Sequence, residues 1–337
     1  MGTAAIDTDG TRSRGTRCIA ITGPFLSGKT TLLEAILART GAIPRAGRVS
    51  EGTTVGDASP EARTHILSVE ATFAETTFMD EPYAFVDLPG SVEFQADAAA
   101  ILPVCDAAIV VCEPEAKRVP ALQATLKSLA SRKIPHLLFL NKMDTTTMHV
   151  RDIVPLLQPA SEIPLVLRQI PIWEGDVVKG YVDLASERAY VYRDGAPSEM
   201  IAMPSSVKDR ENEARFHMLE QLADHDEQLM EQLLTDVTPG QDRIFDDLAR
   251  EMRDGLICPV FIGSALKGNG IFRLLKALRH EAPTIAETAT RLGVAPNPSA
   301  IHVMKTLHQP HAGKLSVARI LRGGLRDGED VRHGTHT

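Results

Sequence analysis

The sequence has 337 residues, 43% of them hydrophobic and 24% charged, with a formal net charge of −8. That length suits about two domains with a sizeable core, and the negative balance argues against non-specific binding of nucleic acid by phosphate neutralisation. The most apolar stretch, Ala98 to Cys112, is interrupted by Pro103 and Asp106, so no segment is expected to span a membrane.

Residues 1–16 mix Thr, Asp, Gly and Arg without an apolar run and read as a flexible tail, not a signal peptide. An apolar strand, Cys18-Ile19-Ala20-Ile21, then leads into Gly23-Pro24-Phe25-Leu26-Ser27-Gly28-Lys29-Thr30-Thr31. Leu32, Leu33, Ile36 and Leu37 follow at helical spacing. Strand, G-x-x-x-x-G-K-[ST] loop and helix together are the setting of a phosphate-binding loop. Its glycines let backbone N–H groups turn inward around phosphate oxygens, and the helix N-terminus adds about half a positive charge. Lys29 is placed to reach the β- and γ-phosphates, and the Thr30 hydroxyl to ligate Mg²⁺.

From about Ile43 to Glu75 no clean periodicity appears, and Gly47, Gly52, Gly56 and Pro60 punctuate the stretch. A loop this long in a compact domain is functional or disordered. Its place after the phosphate loop suits a mobile switch segment; a disordered insertion is the other reading. Tyr83-Ala84-Phe85-Val86 reads as a buried strand ending in a D-x-x-G turn, Asp87-Leu88-Pro89-Gly90. A carboxylate at that point can hold Mg²⁺ through water, and the glycine lets a backbone N–H approach a γ-phosphate.

Two near-continuous apolar runs follow, Ala107-Ala108-Ile109-Val110-Val111-Cys112 and His136-Leu137-Leu138-Phe139-Leu140. Such runs suit strands buried on both faces of a parallel sheet. Between them Leu122, Leu126 and Leu129 recur at helical spacing, and this alternation indicates a doubly wound sheet. The second run ends in Asn141-Lys142-Met143-Asp144, an N-K-x-D pattern that carries base choice. The Asp144 carboxylate can accept from guanine N1–H and N2–H₂, a donor pair that adenine lacks, and a buried acceptor left unpaired costs about 1–3 kcal/mol. Asn141 either bonds the other base edge or ties loops together, and the Lys142 stem can lie over the base plane. A fifth strand, Pro259-Val260-Phe261-Ile262, leads to Gly263-Ser264-Ala265-Leu266, where a backbone N–H is placed to meet guanine O6. Four of the five strands thus end in a nucleotide motif, as ligand binding at strand carboxyl ends requires.

A strand-to-strand crossover needs only about 30 residues, so much of the interval from Asp144 to Ser264 is expected to be an inserted α+β subdomain. Residues 164–173 read as one strand, with further strands over Tyr181-Val182-Asp183-Leu184 and Ala189-Tyr190-Val191-Tyr192. One long helix is expected from about Lys208 to Thr235. Its acidic face, Glu213, Glu220, Asp224, Glu227 and Glu231, reads either as a solvated exterior or as a docking surface for a basic partner. The expected division is a tail at 1–16, a nucleotide domain at 17–160 and 250–285, the insert at 161–249, a linker at 286–298 and an incomplete β-domain at 299–337. The four cysteines, Cys18, Cys105, Cys112 and Cys258, stand in apolar runs without a C-x-x-C pair, as reduced core residues do, and no metal-ligand spacing involves the eleven histidines.

Taken together, these residues resemble the translational GTPases, and among them elongation factor G. The four nucleotide motifs point only to a GTPase. Lys179-Gly180-Tyr181-Val182-Asp183-Leu184 with Ala189-Tyr190-Val191-Tyr192 is similar to the strand pair of that family's inserted G′ subdomain. Leu222 to Leu234 is similar to the G′ helix, and residues 259–270 to the return strand and base loop. Residues 300–331 look like the start of the family's second domain, a β-barrel. The resemblance implies a P-loop α/β fold of mostly parallel strands, GTP/GDP and Mg²⁺ as ligands with Thr30 and Asp87 near the metal, and the ribosome as partner. It further implies a cytoplasmic monomer whose acidic G′ helix faces the ribosomal stalk.

Two departures stand out. The family carries a histidine directly after D-x-P-G to position the attacking water; this chain has Ser91 there, a shorter and poorer base near neutral pH. Lys29 and the position of Ser91 are therefore the expected catalytic pair, with hydrolysis expected to be impaired. The family's switch sequence Arg-Gly-Ile-Thr is replaced by Arg63-Thr64-His65-Ile66-Leu67-Ser68. The expected function is ribosome-coupled GTP hydrolysis. The alternatives are a GTP sensor or decoy with little hydrolysis, and a ribosome-associated GTPase with another task.

Overall fold

A computed structural model describes residues 15–56, 70–90, 95–296, 299–309 and 313–332. At its centre, β1 (Arg17–Thr22) pairs in parallel with β3 (Glu81–Asp87) on one side and β4 (Ala107–Cys112) on the other. The sheet continues through β5 (His136–Leu140) and β11 (Cys258–Ile262), all of these strands running the same way. Every residue of β4, β5 and β11 is buried, as their unbroken apolar runs dictate.

Alternate side chains of β1 enter two different cores. Ile19 and Ile21 join the apolar cluster under α1 (Lys29–Thr40) and α8 (Ile271–Glu281). Cys18 and Ala20 join the opposite cluster, under α3 (Val119–Ser131) and α4 (Val150–Leu157). The period-2 geometry of a strand makes this division, and helices on both faces are what the alternating pattern anticipated.

Several elements differ from the sequence expectation. The aperiodic stretch ends in β2 (Thr72–Phe78), which runs antiparallel to β3 through a two-residue turn at Met79 and Asp80, both at positive φ (49° and 64°). Such turns match the natural twist of a hairpin. Its Thr- and Glu-rich sequence suits an outermost strand with partly exposed faces and gives little apolar signal. Residues 57–69, including the departing switch sequence, lie outside the described residues.

The single strand expected at 164–173 is two. β6 (Leu165–Leu167) pairs in parallel with β11 as the last strand of the seven-stranded sheet. After Arg168, β7 (Gln169–Glu174) enters a second, antiparallel sheet with β8 (Val177–Asp183), β9 (Arg188–Arg193) and β10 (Ala196–Ile201). The change of partner falls at Arg168: its N–H donates to the Val260 carbonyl in one sheet, and its carbonyl accepts from the Leu184 N–H beside the other (each 3.0 Å). Its fully buried guanidinium donates to both oxygens of Glu281 on α8 at 2.8 and 2.9 Å.

The long helix expected from Lys208 to Thr235 is broken. α5 (Ser205–Ala223) and α6 (Glu227–Leu234) are separated by Asp224-His225-Asp226. Asp226 stops the helix because its carboxylate accepts from the Gln228 and Leu229 N–H groups, capping α6. A further helix, α7 (Gln241–Asp254), packs Ile244, Leu248 and Met252 against the core. The stretch expected as a linker at 286–298 opens with α9 (Ile285–Arg291), started by a capping box of Thr284 and Glu287.

β12 (Ala300–Gln309) and β13 (Gly313–Arg322) form an antiparallel ribbon. Arg319 fastens it to the main body by donating to Asp106 Oδ2 (2.6 Å) and to the Val104 carbonyl. His302 adds a contact to the Ala100 carbonyl of α2 (Gln95–Ile101) at 2.8 Å. No helix among the described residues is long and apolar enough to cross a membrane.

Candidate nucleotide-binding site

The phosphate loop leaves β1 at Gly23 and enters α1 at Lys29, so the unpaired N–H groups of the first helical turn open toward it. Gly28 is the N-cap residue at φ +94°, and a side chain there would overlap the amide of Asn141. Pro24 and Ser27 close the loop through a 3.3 Å backbone hydrogen bond, while Phe25 and Leu26 are exposed at its tip. Lys29 lies buried across the loop, with Nζ donating to the Pro24 carbonyl at 3.0 Å. Burial pulls its pKa down, partly offset by the nearby charge of Asp87. Thr31 follows within the first turn.

Asp87 ends β3 beside this turn and accepts a 2.6 Å hydrogen bond from the Thr30 hydroxyl. Desolvation pushes its carboxyl up to about 6, against the pull of the Thr30 hydrogen bond and of Lys29. Its second oxygen, Oδ1, is buried without a hydrogen-bond partner among the described residues. The turn continues through buried Leu88, whose N–H donates to the Ile21 carbonyl (2.9 Å), and Pro89. Gly90 lies so close to Lys29 Nζ and the Gly23 carbonyl that a side chain there would displace the lysine head from its place across the loop. Ser91 lies outside the described residues.

The third motif is built around Asn141. Its Nδ2 donates to the Ser27 carbonyl of the phosphate loop, and its Oδ1 accepts from the Ala265 N–H of the base loop, each at 2.8 Å. Asn141 thus ties loops together, one of its two expected roles. Lys142, at φ +62°, reaches back to the Leu26 carbonyl (3.1 Å). Met143 is buried and its N–H donates to the Gly263 carbonyl (3.0 Å). The Asp144 side chain, half-buried beside them, has no hydrogen bond or ion pair among the described residues. In the base loop, Ser264 exchanges backbone hydrogen bonds with Asn269, Lys267 N–H donates to the Ser264 hydroxyl, and Leu266 is exposed.

A cleft of about 400 Å³ lies between the first turn of α1, the base loop and residues 45–53, lined by Thr31, Arg45, Gly47, Arg48, Ala265 and Leu266. Its outer wall is held by a residue the sequence reading passed over. Glu34, buried on α1, accepts from the Gly47 N–H (2.7 Å) and the Val55 N–H (2.6 Å). Glu113, just after β4, is a second such residue, bound to Lys142 and Arg118. Neither belongs to a contiguous motif, and only the fold brings each to its partners.

The family model of the elongation factor Tu GTP binding domain matches residues 14–284. Over 318 residues the chain is 39% identical to an elongation factor G-like protein of Synechocystis sp., which takes in 94% of this chain and 47% of that protein. A crystal structure from Thermus thermophilus matches with a TM-score of 0.81 at 28% identity, over 93% of this chain and 46% of that one. The chain spans about half the length of the curated relative it matches.

Proposed function

The chain belongs to the translational GTPases that carry the elongation factor Tu GTP-binding domain, as an elongation factor G-like member, and we propose that it binds GTP and GDP with Mg²⁺ and hydrolyses GTP on the ribosome. The observation that carries this reading is Asn141, which couples the phosphate loop to the base loop and leaves the Asp144 carboxylate open beside them. In the proposed complex, Gly23 to Thr31 surround the phosphates. Asp144 accepts from guanine N1–H and N2–H₂, and Ser264 to Leu266 face O6. Asn141 already occupies the Ala265 N–H, so the donor to O6 is assigned to the Leu266 N–H.

The residues fit a magnesium ion. The buried, unpartnered Asp87 Oδ1 and the Thr30 hydroxyl oxygen are hard donors side by side, and phosphate oxygens and water complete the sphere such an ion prefers. Bound there, Mg²⁺ supplies neutralisation of charge on the phosphate oxygens. The chain itself contributes the Lys29 cation, held dry beside Gly90, and the helix terminus of α1.

Hydrolysis turns on Ser91, which stands where the family's histidine positions water. A second reading follows from that same residue: a GTP-binding sensor or decoy that turns over slowly. Measuring GTP turnover with and without ribosomes, for the natural chain and for Ser91→His, separates the two. Ribosome stimulation of the natural chain supports the first. A slow natural chain rescued by histidine supports the second, and failure to prefer GTP over ATP in binding refutes both. The reading places the protein as a monomer in the cytoplasm, with the acidic residues of α5 and α6 directed at the ribosomal stalk.

A further inference from the structure

Leu26 stands in the left-handed region at φ +61°, in the middle of the phosphate loop. A side-chain-bearing residue in that region is strained and persists only where its surroundings over-determine it. The surroundings that do so come from outside the loop. Arg118, on the turn before α3, donates through Nη1 to the Phe25 carbonyl at 3.0 Å. Lys142 donates through Nζ to the next carbonyl, that of Leu26, at 3.1 Å. Both cations converge on one carboxylate. Glu113, only 5% exposed, accepts from Lys142 Nζ at 2.7 Å and from Arg118 Nη2 at 3.2 and 3.4 Å.

Resting on the guanine-nucleotide reading above, we propose that Glu113 is a positioning residue for the phosphates: it fixes two cations that in turn set the orientation of the Phe25–Leu26 and Leu26–Ser27 peptide units. The peptide plane makes the mechanism definite. In a trans peptide the C=O and the following N–H point opposite ways. Holding the Phe25 carbonyl on Arg118 therefore turns the Leu26 N–H away from Arg118 and makes it a donor for an anion in the loop. Without the carboxylate, Arg118 and Lys142 keep their charges but lose the point that sets their reach. Long cationic side chains then spread over many rotamers, and the αL turn at Leu26 loses its support. Glu113 touches neither base nor phosphate, so its effect falls on the phosphate-dependent part of affinity.

The test uses the whole chain and three probes: guanosine, GDP, and GDP carrying a fluorescent ribose label. For Glu113→Gln the dissociation of labelled GDP is expected to quicken by about tenfold, the scale of one charge-assisted hydrogen-bond network. Guanosine affinity should fall by much less than GDP affinity, and the melting temperature without nucleotide is expected to fall, since the substitution removes the carboxylate partner of two cations. Should Glu113→Gln fail to fold, Arg118→Gln, which frees the Phe25 carbonyl from a more exposed position, is held to the same criterion. GDP dissociation within twofold of the natural chain, or an equal loss of guanosine and GDP binding, overturns the inference. A natural chain that binds GDP no better than ADP refutes the nucleotide reading itself, and the inference with it.

Discussion

Asn141 is the residue on which the site's geometry depends most. Its buried amide spends its donor on one loop and its acceptor on another, so truncation leaves the Ser27 carbonyl and the Ala265 N–H unpaired. Each such group costs about 1–3 kcal/mol when buried. Asn141→Ala is expected to lower both the melting temperature and GDP affinity; a GDP titration that matches the natural chain contradicts the keystone role. The N-K-x-D and G-x-x-x-x-G-K-[ST] residues were legible because their chemistry demands particular side chains at fixed short spacing. Glu34 and Glu113 were not. A lone glutamate in a sequence carries no mark of the N–H groups or cations that a distant segment brings to it.

Among the elements, the buried parallel strands were legible from their apolar runs, whereas β2 and the division between β6 and β7 were not. β2 mixes Thr and Glu with apolar residues, and at Arg168 the backbone changes partners without any Gly or Pro to announce it. The break between α5 and α6 was written in Asp226, but a cap is visible only once the carboxylate is seen to turn back on the Gln228 and Leu229 N–H groups. Glu213, Glu220, Asp224, Glu227 and Glu231 are all exposed along these two helices, outside that cap. On the stalk docking proposed above, reversing Glu220, Asp224 and Glu227 to Lys is expected to abolish binding to isolated ribosomal stalk protein while GDP affinity holds. Unchanged stalk binding rules out docking through this face.

At the scale of the molecule, the β12–β13 ribbon is joined to the nucleotide sheet through a polar junction. Asp106, fully buried, accepts from Arg319, from the Thr288 hydroxyl of α9 and from the Cys18 N–H at the start of β1. Burial raises the Asp106 pKa, against the charge of Arg319. Removing Arg319 strands that carboxylate, and losing one partner of a buried pair costs about 3–5 kcal/mol. Arg319→Met should therefore melt at a lower temperature and release the ribbon to protease faster. Cleavage in the ribbon at the natural rate counts against the junction's role.

The bend at Arg168 also bears on how far the molecule can be taken apart. The sequence suggests a cassette that could be excised from about residue 161 onward to leave a minimal nucleotide domain. Such a cut removes β6 and lays bare the hydrogen-bonding edge of β11, an invitation to pair with other chains. It also takes Arg168 from Glu281, which is left as an uncompensated charge inside α8's packing. The two sheets are joined directly at Arg168, between β6 of one and β7 of the other, so any smaller version of this protein has to keep residues 165–168 and rejoin the chain after them.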